Sequence, residues 1–343
     1  MEVTYFVGID GLEPRSMIET KNLLLGCIKD EVKIRQCLKP KENLGVFFER
    51  YIRYPVYARR YISEFNHILD QTNSGVMAFS KGEKFIVTVN DIYPVAHPIP
   101  GASFYLHCSI PFLKKADHVI AISKFTKNEL LKYSIVDEDK ISVIYYAVDD
   151  IFKPNKKIRI QSDCKIILYV GSNEPRKNLH TLLRAFSKLQ RTNSNSILIL
   201  VVDLSSTNII QQSVNHLHLS KNVMILSDLT KKSLQYLYNQ ADLFVFPSHY
   251  EGFGLPLLEA MTCGLPVIAY RCSSMPEVCG DAAIMLNPAS IFNHSILSEC
   301  MTKVLTDPRL SARMSRRSLK QAKNFSKGKY KRETLSVYNE VFV

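Results

Sequence analysis

The sequence predicts an α/β protein with two parallel β-sheets, and three observations lead there. The chain has 343 residues, which is long for one hydrophobic core and suits two domains of roughly 150 residues each. Hydrophobic residues make up 46% of it, enough for two real cores. Short apolar runs alternate with segments of helical periodicity, the pattern of sheets whose strands are joined by crossover helices.

The predicted strands fall into two groups. In the first half of the chain they are Val3–Val7, Phe85–Val89, Val119–Ile122 and Ile141–Tyr145. In the second half they are Ile166–Val170, Ile197–Val202, Val223–Leu226, Leu243–Phe246 and Pro266–Ala269. The polar stretch Asp149–Lys157 separates the groups and is predicted to be a linker. A last helix is predicted from Gly328 to Val341, with apolar residues at helical spacing.

Composition excludes several classes of protein. No apolar stretch reaches the roughly 18 residues that a membrane span needs, and the first residues lack the pattern of a signal peptide, so a cytoplasmic protein is expected. Eight cysteines are scattered without a C-x-x-C pair, which indicates reduced thiols rather than disulfides or structural zinc.

The net charge of +12 is concentrated in the second half, largely between Lys303 and Arg332. A solvated helix face explains such a run, and contact with an anionic membrane or polymer is the alternative. In the segment from Phe47 to Ile62, aromatic residues alternate with arginines. This pattern suits a helix at a lipid interface, or equally a partly buried helix that lines an acceptor site.

Glu251 and Glu259 flank the most informative stretch, Glu-Gly-Phe-Gly-Leu-Pro-Leu-Leu-Glu, which follows a predicted strand. Pro256 fits the first turn of a helix, so Glu251 precedes the helix and Glu259 lies in its opening turns. The glycines allow close backbone approach, and the helix start offers N–H groups to an anion such as phosphate. Two solvated glutamates beside a core helix are the alternative interpretation.

Arg176 and Lys177 follow the predicted strand that ends near Gly171, and Leu179 and later leucines begin a helix just after them. The spacing places both cations on the first turn of that helix, where they oppose its dipole. A bound anion would explain this placement, because arginine and lysine together suit a diphosphate. A solvated helix start is the alternative.

Together, these and further segments resemble a known family, the retaining nucleotide-sugar-dependent glycosyltransferases of family 4, which have the GT-B fold. The similar stretches cover most of residues 85 to 290 and recur in a closing helix. They are Ala116–Lys127, Lys140–Ile144, Val170–Asn178, Ala241–Ser248, Glu251–Val267 and Pro276–Ala283.

The resemblance implies two Rossmann-like parallel-sheet domains that face a cleft. Residues 1–152 would form an acceptor-binding domain and residues 153–325 a nucleotide-sugar-binding domain. Residues 326–343 would form a helix that returns to the first domain.

The resemblance also assigns roles to residues. Glu251 would hold hydroxyls of the transferred sugar and Glu259 the ribose of the nucleotide, while Arg176 and Lys177 would stabilise the departing diphosphate with the amides around Phe253. The full set implied to bind the donor is Gly11, Gly171, Arg176, Lys177, Ser227, Glu251, Gly252, Phe253, Gly254, Leu255 and Glu259. No metal and no cofactor are implied, because the cations do the work of a metal ion.

Asp137-Glu-Asp139 resembles a metal-binding D-x-D motif, but its setting indicates an acidic turn. His216 and His218 show no third ligand in the sequence. No metal site is therefore predicted.

The chain departs from the family pattern at a catalytic position. Asn90 follows a predicted strand where relatives usually have a histidine that reaches the donor sugar, and an amide cannot carry charge. His97 and His107 are candidate substitutes. Gly11 belongs to a Gly8-Ile-Asp-Gly11 sequence that replaces paired glycines, and Ser227 stands where glycine is common.

The predicted function is the retaining, metal-independent transfer of a hexose, with mannose from GDP-mannose favoured and UDP-linked hexoses open. The acceptor is expected to be a glycan or a lipid-linked sugar, and peripheral contact with a membrane is left open. One alternative is a nucleotide-sugar-binding protein that has lost turnover through Asn90. A nucleic-acid-binding protein is a further alternative prompted by the charge, although aromatic platforms and a repeated basic stripe are lacking.

Overall fold

The computed structural model describes residues 1–9, 15–39, 45, 48–97, 108–155, 164–192 and 195–342. Gly11, His107 and the end of the predicted linker, Lys156 and Lys157, lie outside the described residues. The chain divides into two compact units. The first comprises residues 1–147 together with 325–343, and the second comprises residues 148–324.

In the first unit, the described residues form a six-stranded sheet in which every neighbouring pair is parallel. Its strands are β1 (Glu2–Ile9), β2 (Lys33–Lys39), β3 (Phe65–Ile68), β4 (Lys84–Val89), β5 (His118–Ala121) and β6 (Ile141–Val143), in the order β2-β1-β3-β4-β5-β6. Its helices include α1 (Arg15–Ile28), α2 (Tyr54–Ala58), α3 (Tyr93–Ala96), α4 (Ile110–Leu113) and α5 (Lys124–Lys132). Short π and 3-10 turns flank α2, at Glu49–Arg53 and Arg59–Tyr61.

The described residues of the second unit also form a six-stranded parallel sheet. Its strands are β7 (Lys165–Val170), β8 (Ser196–Val201), β9 (Val223–Leu226), β10 (Leu243–Phe246), β11 (Val267–Tyr270) and β12 (Ile284–Leu286), in the order β12-β11-β10-β7-β8-β9. Its helices are α6 (Leu179–Thr192), α7 (Thr207–His216), α8 (Lys231–Gln240), α9 (Leu255–Thr262), α10 (Met275–Cys279), α11 (His294–Thr306) and α12 (Pro308–Ala322).

The predicted fold class is therefore confirmed: strands alternate with helices, and both sheets are parallel. All nine predicted strands are present, with ends shifted by at most two residues. Three further strands, β2, β3 and β12, were not predicted. β12 has only three apolar residues, β3 has two polar residues in its middle, and β2 is polar with most residues exposed or partly exposed, which explains the omission.

The last helix, α13 (Lys327–Phe342), belongs to the first unit. Tyr338 fixes it to the sheet, because its hydroxyl lies 2.7 Å from the hydroxyl of Tyr5 and 2.6 Å from Nδ1 of His67. The other ring nitrogen of His67 lies 2.8 Å from the hydroxyl of Thr88. This buried polar chain ties α13 to β1, β3 and β4.

Burial of His67 makes the stability of the first unit sensitive to acid. Burial lowers the pKa of the His67 imidazole from 6.5 to about 3. Between these values the unfolded chain binds a proton that the folded protein excludes, so stability falls as the pH drops through this window, by about 1.4 kcal/mol per pH unit. We expect urea unfolding to show a loss of roughly 2 kcal/mol between pH 7 and pH 5 that His67→Gln removes.

The matched control is His97→Gln, which replaces an exposed histidine, and the effect of His67→Gln is measured against it. An identical pH dependence in the wild type and in His67→Gln would contradict the assignment.

Candidate active site

Two loops at the carboxyl ends of neighbouring strands carry the predicted site of the second unit. One follows β7 and includes Arg176 and Lys177; the other follows β10 and includes Glu251. The backbone N–H of His249 donates to the carbonyl oxygen of Arg176 at 2.9 Å, which joins the loops directly. Because the carboxyl ends of parallel strands meet at one edge of a sheet, this edge is where ligands bind in folds of this type.

The prediction that Arg176 and Lys177 occupy the first turn of an α-helix is wrong. They lie in a separate 3-10 turn, Pro175–Lys177, and α6 begins only at Leu179. Asn178 separates the two elements because its backbone is in the left-handed conformation, with φ of 54°. Asparagine tolerates this conformation, which ends the turn and redirects the chain.

Lys177 and Glu251 form a buried ion pair between the two loops. The Nζ atom of Lys177 donates to both carboxylate oxygens of Glu251, at 2.8 and 2.9 Å. Both side chains are largely shielded from solvent. Removing one member of such a pair leaves an uncompensated buried charge, typically at a cost of about 3–5 kcal/mol. The pair therefore holds the two loops together, and the positive charge of Lys177 offsets the negative charge of Glu251.

Arg176 joins the same cluster. Its Nη1 atom lies 3.5 Å from Oε2 of Glu251 and donates to the carbonyl oxygen of Tyr250 at 3.3 Å. Its Nε atom donates to Glu174 at 2.7 Å. Burial raises the pKa of Glu174, but the charges of Arg176 and Lys177 and hydrogen bonds from Arg176 and Ser172 together leave that pKa below its ordinary value. The carboxylate of Glu174 thus stays ionised beside the guanidinium.

Backbone geometry places the second loop. Gly254 has φ of +94°, a conformation that L side chains rarely adopt, and it immediately precedes α9. Pro256 occupies the first turn of α9, as predicted. The amide of Leu255, at the first helical position, has no acceptor within the helix, so this helix start can offer N–H groups to an anion.

Glu259 lies one turn into α9 and is buried. The hydroxyl of Tyr238 lies 2.9 Å from Oε2 of Glu259 and 3.2 Å from the carbonyl oxygen of Pro256. These contacts fix the carboxylate against α8. The structure therefore shows an oriented carboxylate at the position for which the family resemblance implies contact with ribose.

Gly171 and Ser227 stand at the carboxyl ends of β7 and β9. A Cβ atom added at Gly171 would lie 2.8 Å from the hydroxyl oxygen of Tyr169, so packing inside the protein already requires glycine there. Ser227 follows the edge strand β9, which lies two strands away from β7 in the sheet.

Several residues of the site were missed in the sequence. Glu174 and Tyr238 orient Arg176 and Glu259, and Ser273 and Ser274 support the second loop. The hydroxyl of Ser274 donates to the carbonyl oxygens of Glu251 and Phe253, both at 3.0 Å, and Ser273 accepts from the N–H of Glu251 at 3.0 Å. A Ser-Ser pair before a proline reads as a helix cap, and nothing in the sequence reveals that it holds a distant loop.

Asn178 was quoted only as part of a motif, yet it joins three loops. Its amide donates to the carbonyl oxygens of Pro247 at 3.3 Å and Ile291 at 2.8 Å, and it accepts from Thr181 at 2.7 Å. Its left-handed backbone and its side chain thus act together to position the preceding cations.

Asn90 belongs to the first unit and follows β4 at the carboxyl edge of that sheet. Its Nδ2 atom donates to the buried carboxylate of Asp70 at 2.8 Å, and its Oδ1 atom accepts from Tyr146 at 2.5 Å. Its backbone N–H donates to Gln71 at 2.9 Å. Both ends of the Asn90 amide are therefore engaged within the unit. His97, a candidate substitute, is exposed and packs on Tyr93.

Among the described residues, no cluster of three or more histidine, cysteine, aspartate or glutamate side chains has the geometry to hold a metal ion. Glu138 of the acidic turn is instead paired with Lys127 at 3.1 Å. None of the helices in the described part of the chain has both the length and the apolar character needed to cross a membrane.

Comparison with known proteins now places the chain in a family. Residues 150–321 match the family model for glycosyl transferases group 1, and residues 33–151 match that for glycosyltransferase family 4. The chain belongs to these glycosyltransferases.

Among curated proteins, the chain is 30% identical over 274 residues to the O-antigen chain mannosyltransferase B of Escherichia coli, covering 75% of this chain and 70% of that protein. It is 33% identical over 236 residues to the serotype-specific mannosyltransferase WbdA of Escherichia coli. That match covers 65% of this chain but only 28% of WbdA.

Solved structures share the fold. The sucrose-phosphate synthase of Thermosynechococcus elongatus superposes with a TM-score of 0.84 at 18% identity, over 100% of this chain and 99% of that one. The HepE protein of Anabaena, solved in complex with UDP and glucose, superposes with a TM-score of 0.81 at 15% identity, over 99% and 100% of the two chains. The fold is that of the GT-B glycosyltransferases, as the resemblance implied.

Proposed function

We propose that this glycosyltransferase moves a hexose, with mannose favoured, from a nucleotide-sugar donor to a glycan or lipid-linked sugar, with retention of configuration and without a metal ion. The observation that carries the proposal is the buried cluster of Arg176, Lys177 and Glu251 beside the start of α9. The second unit is the donor-binding unit in this proposal, and the first unit holds the acceptor.

The cluster suits the chemistry of a leaving diphosphate. Breaking the bond between the anomeric carbon and the phosphate oxygen leaves negative charge on the nucleoside diphosphate. Fixed positive groups at that position stabilise the transition state, and they do so strongly where water is excluded. Arg176, Lys177 and the amide of Leu255 are the groups that supply this stabilisation.

Glu251 acts as the counter-charge of Lys177 when no donor is bound. In the proposed complex, the diphosphate oxygens replace Glu251 as partners of Lys177, and the carboxylate turns to accept hydroxyls of the sugar. Binding therefore exchanges one anionic partner for another and leaves no buried cation unpaired. The acceptor hydroxyl then attacks on the face from which the diphosphate departs and gives its proton to the leaving phosphate oxygen.

The names of the relatives support mannose as the transferred sugar. The two relatives from Escherichia coli are an O-antigen chain mannosyltransferase and a serotype-specific mannosyltransferase. GDP-mannose is accordingly the first donor to test. Because Anabaena HepE was solved in complex with UDP and glucose, UDP-linked hexoses are also donors to test.

A second candidate function is nucleotide-sugar binding without turnover, and the environment of Asn90 favours it. Asn90 replaces the usual histidine, and Asp70 and Tyr146 engage both ends of its amide. Donor-dependent sugar transfer or slow donor hydrolysis separates the two functions, because a pure binding protein shows neither.

Donor binding should raise the melting temperature of the protein in a manner that depends on Lys177. At a ligand concentration one hundred times Kd, the stabilisation is about 2.7 kcal/mol, or roughly 4 °C for a chain of this length. We expect one of the GDP, UDP and ADP sugars to give this shift in thermal denaturation, and Lys177→Ala to abolish it. Each protein is compared with its own ligand-free state, because Lys177→Ala removes the closer of the two cations that pair with Glu251 and lowers the starting temperature.

The control for this screen is Lys188→Ala, which removes a partly exposed lysine paired with Glu299 at 3.7 Å. It should respond to the donor as the wild type does. Undiminished stabilisation of Lys177→Ala would rule out the assigned diphosphate site.

Glu251→Gln should separate diphosphate binding from transfer. The substitution removes the carboxylate that competes for Lys177, so nucleoside diphosphate binding is retained or tightened. Sugar transfer should fall by about 100-fold or more, because the sugar loses its charged acceptor. Calorimetry with the free nucleoside diphosphate and a product assay measure the two quantities.

Glu299→Gln, on the exposed surface, is the matched control and should change neither quantity. Wild-type transfer rates in Glu251→Gln would show that the carboxylate has no role in the reaction.

A further inference from the structure

The helical segment between β2 and β3 carries an apolar row on its exposed side. Phe48, Ile52 and Val56 are 42%, 44% and 47% exposed, and their four-residue spacing places them along one face. The opposite side of the segment is already packed, since Tyr54 and Ala58 are fully buried in the core of the first unit. Single exposed apolar residues are common, but an ordered row of three large ones marks a surface that binds something.

The exposed charged side chains of this segment are positive. Glu49 is the single acidic residue between Phe48 and Tyr61, and it is buried in an ion pair with Lys39 at 2.8 Å. The segment also carries four arginines, of which Arg53 lies 4.0 Å from the carboxylate of Glu49, while Arg59 and Arg60 are exposed. We call the three apolar residues and the two exposed arginines the Phe48 face.

Aromatic rings support two of the arginines beside the row. The guanidinium of Arg60 lies 4.2 Å from the ring centre of Tyr57, and that of Arg59 lies 5.6 Å from the ring centre of Phe79. Stacking on rings holds a guanidinium in place without neutralising its charge. Both arginines are exposed, so they remain available to an anion.

We infer that the Phe48 face docks on the surface of an anionic phospholipid bilayer. Its apolar row fits the boundary of the acyl chains, where helices of this composition bury their apolar side. Arginines that flank the row reach the phosphate layer just above it, and tyrosines such as Tyr57 suit the same depth. Attraction to anionic lipid adds to the apolar contribution with each cation near the surface.

A second copy of this chain is a poorer occupant of the same face. In a two-fold symmetric dimer, the patch faces a second copy of itself, so two positively charged surfaces would meet with no acidic side chain exposed on the segment to offset them. A layer of lipid phosphates supplies that negative charge.

Docking at this face would orient the sheet edge of the first unit. The hydroxyl of Tyr54 accepts from the backbone N–H of Gly8 at 3.0 Å and lies 3.3 Å from the carbonyl oxygen of Cys37. The segment is thus fixed to the ends of β1 and β2. The inference extends the proposed function by naming the surface that would bring the enzyme to a lipid-linked acceptor, but bilayer binding itself does not depend on sugar transfer.

Co-sedimentation with vesicles tests the inference directly. The wild type should bind vesicles of phosphatidylcholine mixed with phosphatidylglycerol and bind pure phosphatidylcholine vesicles far more weakly. The triple variant Phe48→Ser, Ile52→Ser, Val56→Ser should lose about tenfold or more in partitioning, because it loses the inserted row. Arg59→Gln with Arg60→Gln should lose about tenfold as well, because two cations leave the surface.

Two matched controls separate this face from general hydrophobicity and general charge. Leu204→Ser with Ile209→Ser removes two apolar side chains of the second unit that are 63% and 59% exposed. The variant Arg313→Gln, Arg316→Gln, Arg317→Gln removes three exposed cations of α12. Both control proteins should bind the anionic vesicles as the wild type does.

Three results would overturn the inference. The first is no binding of the wild type to anionic vesicles. The second is a loss in the α12 variant equal to that in the Arg59 and Arg60 variant, which would assign binding to net charge. The third is a wild-type dimer, measured by light scattering, that the triple serine variant converts to a monomer. An unchanged melting temperature shows that each variant is folded, and donor stabilisation measured in parallel tests the proposed function separately.

Discussion

The buried ion pair between Lys177 and Glu251 is the interaction on which the site of the second unit depends. It joins the loop after β7 to the loop after β10, and both oxygens of the carboxylate accept from the ammonium. Neither charge is well solvated, so each needs an opposite charge beside it, either its present partner or a group that carries the same charge as that partner. A diphosphate is such a substitute for Glu251, and a ligand that brings it can take over Lys177 without leaving a cation unpaired.

Several residues outside the ion pair position the two loops that carry Lys177 and Glu251. Asn178 ends the turn of the cations with a left-handed backbone and bonds to two other loops through its amide. The hydroxyl of Ser274 donates to the backbone carbonyl oxygens of Glu251 and Phe253 and so holds the second loop in place. Fixed groups of this kind need little reorganisation when charge develops on a leaving group, which is the condition for strong electrostatic catalysis.

The sequence allowed the fold class and most strands of the second unit to be predicted, because continuous apolar runs such as Ile166–Val170 are typical of strands buried on both faces of a parallel sheet. It did not reveal β2, where an edge strand exposes Lys33 and Arg35 and so lacks an apolar run. The pairing of Lys177 with Glu251, 74 residues apart, could be anticipated only as convergence on a shared ligand. Direct contact between them depends on the 3-10 turn that Asn178 ends. The helical spacing of the sequence instead placed both cations in the α-helix that follows this turn.

The measurement that tests the central claim most directly is a crystal structure of the protein with a bound nucleoside diphosphate. The account predicts that diphosphate oxygens lie about 3 Å from Nζ of Lys177 and from the guanidinium of Arg176, with the carboxylate of Glu251 turned away from Lys177. A diphosphate bound elsewhere, with the pair between Lys177 and Glu251 intact, would contradict it.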